Sequence, residues 1–595
     1  MRRLLIPLVL SAAACTTAVT SPTPTTPESN DPSAELHELF AEEWALSLKE
    51  DPISATFSGV HDYDDRLTDI SPAANRKSAD ARRRFLERLR AIDPDRLDQQ
   101  DRVSYRMFEA RMVDVIEGAE LGGWEMPIDT DSGFHSSMAF VPRVMPFDNA
   151  RDYERYIARL EAIPDWFDQQ MANMRAGLER GFTQPAEILG PVGSTIEAYA
   201  VDDPAQSVFW APFEAFPATI GPRDRERLRA RAGDAIAGVS EAYRTLHRFW
   251  EQEYVPGSRR TLGATKLPNG EAFYRHQIRH YTTLDLSPDE IHAIGLREVS
   301  RIRAEMMEVI RKTGFEGSFE EFLDFLRTDS RFYAATPEEL LRRAAWIAKS
   351  MDGRLPSLFK TLPRQPYTIE PVPPHIAETY TAGRYLSAPK DGTRAGTYWV
   401  NTSKLSSRPL YTLEALTFHE AVPGHHLQNA LADELEGLPD FRRHTYISAF
   451  GEGWGLYSEW LGKEAGFYQD LYSDFGRLTY EMWRATRLVV DTGVHAKGWT
   501  RQQALDYLGS NTALSLHEVQ TEVDRYISWP GQALSYKLGE LEIRRLRANA
   551  EKELGDRFDV REFHDAVLLN GAVPLPVLAE QIERYIRNAI AASNP

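Results

Sequence analysis

Pro423 and Gly424 break what would otherwise be one helix carrying His419, Glu420, His425 and His426. The flanks read as helix. Thr412 is placed to N-cap, Leu413 and Leu416 begin an apolar stripe, and Leu427, Leu431 and Leu435 continue one until Gly437 and Pro439 stop it. In an unbroken helix, residues i and i+4 lie about 40° apart on one face. From His419 that position is Pro423, which cannot bind metal. His425, at i+6, falls about 120° off the face, and His426, at i+7, returns to it about 10 Å further along the axis. No regular helix lets His419 share one ion with either. Proline removes a backbone donor and distorts the preceding turn, while glycine tolerates unusual dihedrals. A bulge at Val422 to Gly424 would return His425, rather than His426, to His419.

Three histidines and a glutamate around such a break point to a metal site rather than to a hydrogen-bonded histidine cluster in a kinked helix. Neutral imidazoles ligate zinc, and an adjacent glutamate can take a proton from water. A catalytic zinc has three protein ligands and keeps one position open. The segment Gly451-Glu452-Gly453-Trp454-Gly455-Leu456-Tyr457-Ser458-Glu459 offers carboxylates after room for one helix and a turn. Its three glycines remove bulk, so this helix can approach the first closely. Glu452 is expected as the third ligand. Glu459, seven residues on and therefore on the same face, is expected to hold a ligating histidine from behind, with the reverse assignment as the alternative. His426 is placed just outside the ligand set. His276 and His280 are also spaced i,i+4, but arginines flank them and no carboxylate adjoins them. No Walker A motif, no Rossmann glycine fingerprint and no G-x-S-x-G occurs.

Several stretches together carry a resemblance. H-E-A-V-P-G-H-H-L-Q (419–428) follows D-G-T-R-A-G-T-Y-W-V-N-T (391–402) and precedes G-E-G-W-G-L-Y-S-E (451–459). D-T-G-V-H-A-K-G-W (491–499) and W-P-G-Q-A-L-S-Y-K-L-G (529–539) come later. With these the chain resembles the bacterial family called domain of unknown function 885, from about residue 35 onward and most strongly in its C-terminal third. That family is regarded as zincin-like and distantly similar to gluzincin peptidases of the thimet-oligopeptidase and angiotensin-converting-enzyme type. The resemblance implies a mainly α, two-lobed fold with a deep channel, a small β element beside the zinc helix, and Zn2+ as cofactor. It implies His419, His425 and Glu452 as metal ligands and Glu420 as general base. His495 would stabilise an oxyanion, with Tyr526 or Tyr536 as the partner phenol, since amide hydrolysis needs donors aimed at the developing charge. Tyr398-Trp399-Val400-Asn401 is short and β-prone. The similar enzymes place an edge strand there that pairs with an extended peptide. Tyr398, Trp399 and Asn401 are thus substrate-binding candidates, with an ordinary hairpin as the alternative. Arg394, Arg525 and Lys537 lie near motif segments and are candidates to anchor a substrate carboxylate.

The N-terminus reads as an export signal. Arg2 and Arg3 precede an apolar run, Leu4 to Leu10, too short to span a bilayer. Ala12-Ala13-Ala14-Cys15 resembles a lipobox, and Cys15 is the only cysteine. Residues 1–14 are therefore expected as a lipoprotein signal peptide, Cys15 as the lipidation site, and 15–34 as a polar tether. A plain secretory signal is the alternative. The expected location is an exported bacterial lipoprotein on the periplasmic side of a membrane, touching it only through the lipid.

The whole chain of 595 residues is 42% hydrophobic and 26% charged, a globular composition with no internal repeat. Capping boxes at Ser287, Thr336 and Thr500 announce helices, as do the amphipathic runs at 35–120 and 150–180. One helical domain over 35–595 is expected, with lobes at about 35–285 and 286–595. A net charge of −19 argues against nucleic acid as a partner. The expected function is an exported, monomeric zinc peptidase acting on short peptides. The rivals are a metal-dependent amidase of cell-wall peptides or small amides, and a non-catalytic zinc-scaffold lipoprotein. The general-base position of Glu420 weighs against the last.

Overall fold

The computed structural model describes residues 31–378, 380–388 and 394–592. The expected signal peptide, Cys15 and residues 391–393 of the motif lie outside the described residues. The expected tether overlaps the first helix, Pro32–Glu50, which Asp31 caps by accepting from the Ser33 N–H at 3.1 Å.

The fold is mainly α with one small sheet. Helix ends follow the local chemistry. Ser287 and Glu290 close a reciprocal capping box on Pro288–Thr313, and Thr500 and Gln503 close another on Arg501–Asn511. Thr336 caps Pro337–Asp352 through the Glu339 N–H, while the Glu339 carboxylate reaches past it to Ala335 N. Gly122, Gly181, Gly314 and Gly498 end long helices at positive φ, where a side chain would be strained. Thr412 stands at the expected N-terminus but does not cap. Its hydroxyl donates to Pro409 O instead.

The helix Leu471–Lys497 is the axis of the C-terminal half. Every residue from Phe475 to His495 is buried. Buried charge needs partners, and this helix has them. Arg477 pairs with Glu481, Arg487 with Glu522, and Asp491 accepts from Tyr274 and Gly531. Helix Pro288–Thr313 packs along this axis. Helices Ser448–Glu464 and Ser535–Leu554 also pair, crossing at Gly453 and Gly539, where a Cβ on Gly453 would sit 2.6 Å from Gly539 Cα. One hydrophobic core runs from Leu36 to Ile586, across the expected lobe boundary. Phe441, for example, packs on Phe40 and Phe108 at 4.8 and 5.4 Å between ring centres.

The sheet has the order β1 (Tyr367–Pro371), β3 (Gly396–Val400), β2 (Gly383–Leu386). β3 is paired on both sides, parallel to β1 and antiparallel to β2. The expected strand is therefore present but central, with no free edge for a peptide. The edge that faces the helix carrying His419 belongs to β2.

Candidate metal centre

The helix carrying His419 runs from Leu413 to Glu420 and stops, and a second helix, His425–Asp433, starts after a break of four residues. The Val422–Pro423 bond between them is cis. The His426 N–H reaches back to Ala421 O at 3.1 Å, closing a wide turn that takes up the extra residues. Gly424 is needed for space: a Cβ there would lie 1.9 Å from His419 O. Trp454 pins the break by donating to Pro423 O at 2.8 Å.

This turn brings His425 back beside His419, with ring centres 4.7 Å apart and planes at 89°. Glu452, on the helix Ser448–Glu464, completes a cluster whose three ligand atoms lie within 4.8 Å of one another. Glu452 Oε2 is 3.3 Å from His419 Nε2 and 3.6 Å from His425 Nε2. Two ligands on one tetrahedral zinc at about 2.0–2.1 Å stand roughly 3.3–3.4 Å apart. Two imidazoles and one carboxylate are also the donor types that zinc takes, so the residues present fit the ion.

Glu459 Oε1 accepts from His419 Nδ1 at 2.8 Å, which aims Nε2 at Glu452. Arg484 Nη2 lies 3.5 Å from the same Glu459 oxygen. Burial alone would push the His419 imidazole down. The Glu452 and Glu459 carboxylates outweigh it and hold its pKa at about 10 in the metal-free chain. The glycines act as expected only in part. Gly455 lies against His419, where a Cβ would come within 2.6 Å of Cε1, but Gly453 serves the crossing with Gly539. His426 points away from the cluster. It is buried against Tyr367, and its Nδ1 meets the Tyr385 hydroxyl at 3.0 Å.

The cluster opens into a cavity of about 650 Å³. Glu420, His419, His425, Glu452, Tyr446 and Tyr536 line it, as do residues 381–385 along β2. Glu420 Oε2 accepts from the Tyr385 N–H of β2 at 2.7 Å, so the strand edge and the carboxylate are locked together.

Several expected site residues lie elsewhere. His495 is fully buried and does not reach the cavity. It donates from Nε2 to Tyr526 O at 2.8 Å and accepts at Nδ1 from Ala264 N at 3.1 Å. Both ring nitrogens are thereby committed to backbone. Tyr526 is buried too, its hydroxyl accepting from Trp483 Nε1 and Arg487 Nε, each at 2.8 Å. Of the two expected phenols only Tyr536 faces the cavity. Tyr398 is buried under the sheet with its hydroxyl toward Thr417, and Trp399 stands on central β3 near Tyr380. The buried Asn401 amide is spent on the carbonyls of Ala377, Tyr380 and Thr381. Lys537 is buried among Glu298, Glu481 and Glu540, and Arg394 does not line the cavity, which leaves Arg525 of the three expected anchors.

Sequence reasoning missed Tyr446. Its hydroxyl donates to Glu452 Oε1 at 3.1 Å, and the side chain is 63% exposed toward the cavity. It also missed Arg384, Arg484 and Arg487, which line the same space. None of these residues belongs to a recognisable spacing pattern around the histidines.

Comparison with known proteins adds the following. The crystal structure of "the putative lipoprotein from Colwellia psychrerythraea" is similar at a TM-score of 0.87 and 29% identity, covering 94% of this chain and all of that one. "A putative lipoprotein of unknown function from Shewanella oneidensis" shares the fold at a TM-score of 0.73 and 16% identity, over 93% and 99% of the two chains. No curated protein matches. The model of the family described as "Bacterial protein of unknown function (DUF885)" matches residues 52–582, and the chain belongs to that family.

Proposed function

We propose that this protein is a zinc-dependent peptidase of short peptides, exported and held at a membrane by a lipid on Cys15. The observation that carries the reading is the convergence of His419, His425 and Glu452 on an open cavity with Glu420 beside them. A bound zinc would supply Lewis acidity, polarising a carbonyl and lowering the pKa of water. The chain's own groups divide the remaining work. Glu459 fixes the tautomer of His419. Glu420 takes the proton of the attacking water and hands it to the leaving amine. The Tyr385 N–H keeps the Glu420 carboxylate on the cavity side. Tyr536 is the hydroxyl available to a developing oxyanion, in the place assigned from resemblance to His495 and Tyr526, while Tyr446 keeps its proton on Glu452. The β2 edge, rather than β3, offers backbone groups to an extended peptide.

The lipoprotein part rests on the sequence around Cys15 and on the naming of both structural relatives. Among the described residues no helix is long and apolar enough to cross a membrane.

A panel of short peptides incubated with zinc-loaded protein tests the catalytic part. Glu420→Gln should keep the fold and the metal while turnover falls by about 10²–10⁴ or more. Wild-type turnover in that variant, or turnover indifferent to zinc, rejects the reading.

A further inference from the structure

Arg487 is the clearest unexplained group in the cavity. Its side chain is 2% exposed. Nε donates to Tyr526 Oη at 2.8 Å and Nη2 to Glu522 Oε2 at 2.9 Å, but Nη1, buried as well, has no hydrogen-bond partner among the described residues. A buried guanidinium nitrogen left without an acceptor is costly, and such groups are kept where something else completes them. Arg525 shares the same counter-ion, with Nη1 3.1 Å from Glu522 Oε2. Two guanidiniums thus divide one carboxylate. Glu518, a turn earlier on that helix, bonds neither, and burial next to Glu522 pushes its carboxyl up to about 7. Asp131 lines the cavity beyond salt-bridge distance of any arginine. Arg487 Nη1 is thus the guanidinium nitrogen left open on this wall of the cavity.

We propose that Arg487 and Arg525 form a pocket for the C-terminal carboxylate of a peptide, so that the enzyme cleaves from the C-terminal end of its substrates. This rests on the peptidase reading and narrows it to one substrate class. The planar fork of arginine matches a carboxylate. A single terminal carboxylate also suits a cavity that already holds Glu420, Glu452 and Glu522, which would repel a polyanion. Both arginines line the same cavity as His419, His425 and Glu452.

Two peptides that differ only in a C-terminal acid or amide provide the test. Zinc-loaded wild-type protein should favour the acid in kcat/KM by about tenfold or more, the loss typical of one charge-assisted hydrogen bond. Arg487→Met, which keeps most of the volume, and Arg525→Gln should each bring the ratio toward unity. Arg311→Gln, at an exposed position outside the cavity, should preserve it. Equal hydrolysis of acid and amide by the wild type overturns the carboxylate pocket and leaves the peptidase reading intact. Calorimetric binding of an acetylated dipeptide acid and its amide to the Glu420→Gln protein reads the pocket without turnover. Tighter binding of the acid there supports the pocket even if neither peptide is hydrolysed, an outcome that would instead sink the peptidase reading. Equal binding overturns the pocket.

Discussion

Nδ1 of His419 donates to Oε1 of Glu459 at 2.8 Å, while Nε2 of the same ring faces Glu452 at 3.3 Å. Two carboxylates from one helix, seven residues apart, flank one imidazole. They hold the ring in one orientation before any ligand arrives, and Glu459 selects the Nδ1–H tautomer once a metal takes the place of the Nε2 proton.

The two carboxylates should therefore differ in effect. Glu459→Gln is expected to weaken zinc affinity by roughly 10–100-fold, the usual cost of losing a supporting partner. Glu452→Ala should cost more, because it removes a ligand atom. Competition with a chelator gives both constants, and a larger loss for Glu459→Gln would exchange the two roles.

Gly424→Ala should be more damaging than a surface glycine change. Its Cβ would meet His419 O at 1.9 Å and Phe418 O at 2.4 Å, both backbone atoms. Overpacking of this kind costs about 1–3 kcal/mol, and here it also displaces His425. Denaturant unfolding together with metal content checks it. Wild-type stability with full metal content would show that the turn tolerates a side chain.

How this turn was readable in the sequence, and the sheet was not, has a physical reason. A helix that carries histidines at i and i+6 around Pro-Gly has few local solutions, and the one found puts His425, not His426, beside His419. The caps at Ser287 and Thr500 were legible for the same reason, since they are fixed within four residues. Strand order is not local. Tyr398 to Asn401 look like a strand from composition and like an edge only by resemblance, but β1 arrives from upstream and covers their second side. His495 likewise sits in a family-like motif, yet Ala264, far earlier in the chain, closes over its ring. Tyr446 reaches Glu452 from outside any motif.

His495 is expected to act through stability. Burial pushes its pKa down to about 3, against about 6.5 for an exposed histidine. A depressed histidine contributes stability above its unfolded value, and that contribution is lost as pH falls from about 6.5 toward 3. His495→Gln should lower the melting temperature near neutral pH, flatten part of the acid limb and leave kcat nearly unchanged. A loss of kcat by orders of magnitude with unchanged melting would return His495 to the catalytic machinery.

Cys15→Ser should move the protein from the membrane fraction to the soluble fraction without reducing specific activity. Among the described residues no helix is long and apolar enough to cross a membrane. Continued membrane association of the variant would point to a different anchor.

The metal centre stands or falls on metal analysis of protein purified without chelator. About one zinc per chain is expected in the wild type, as one three-ligand site requires, and little or none in His419→Ala or Glu452→Ala at unchanged fold. A wild-type protein free of metal even after zinc is supplied, or variants that retain it fully, would contradict the claim that His419, His425 and Glu452 hold a metal.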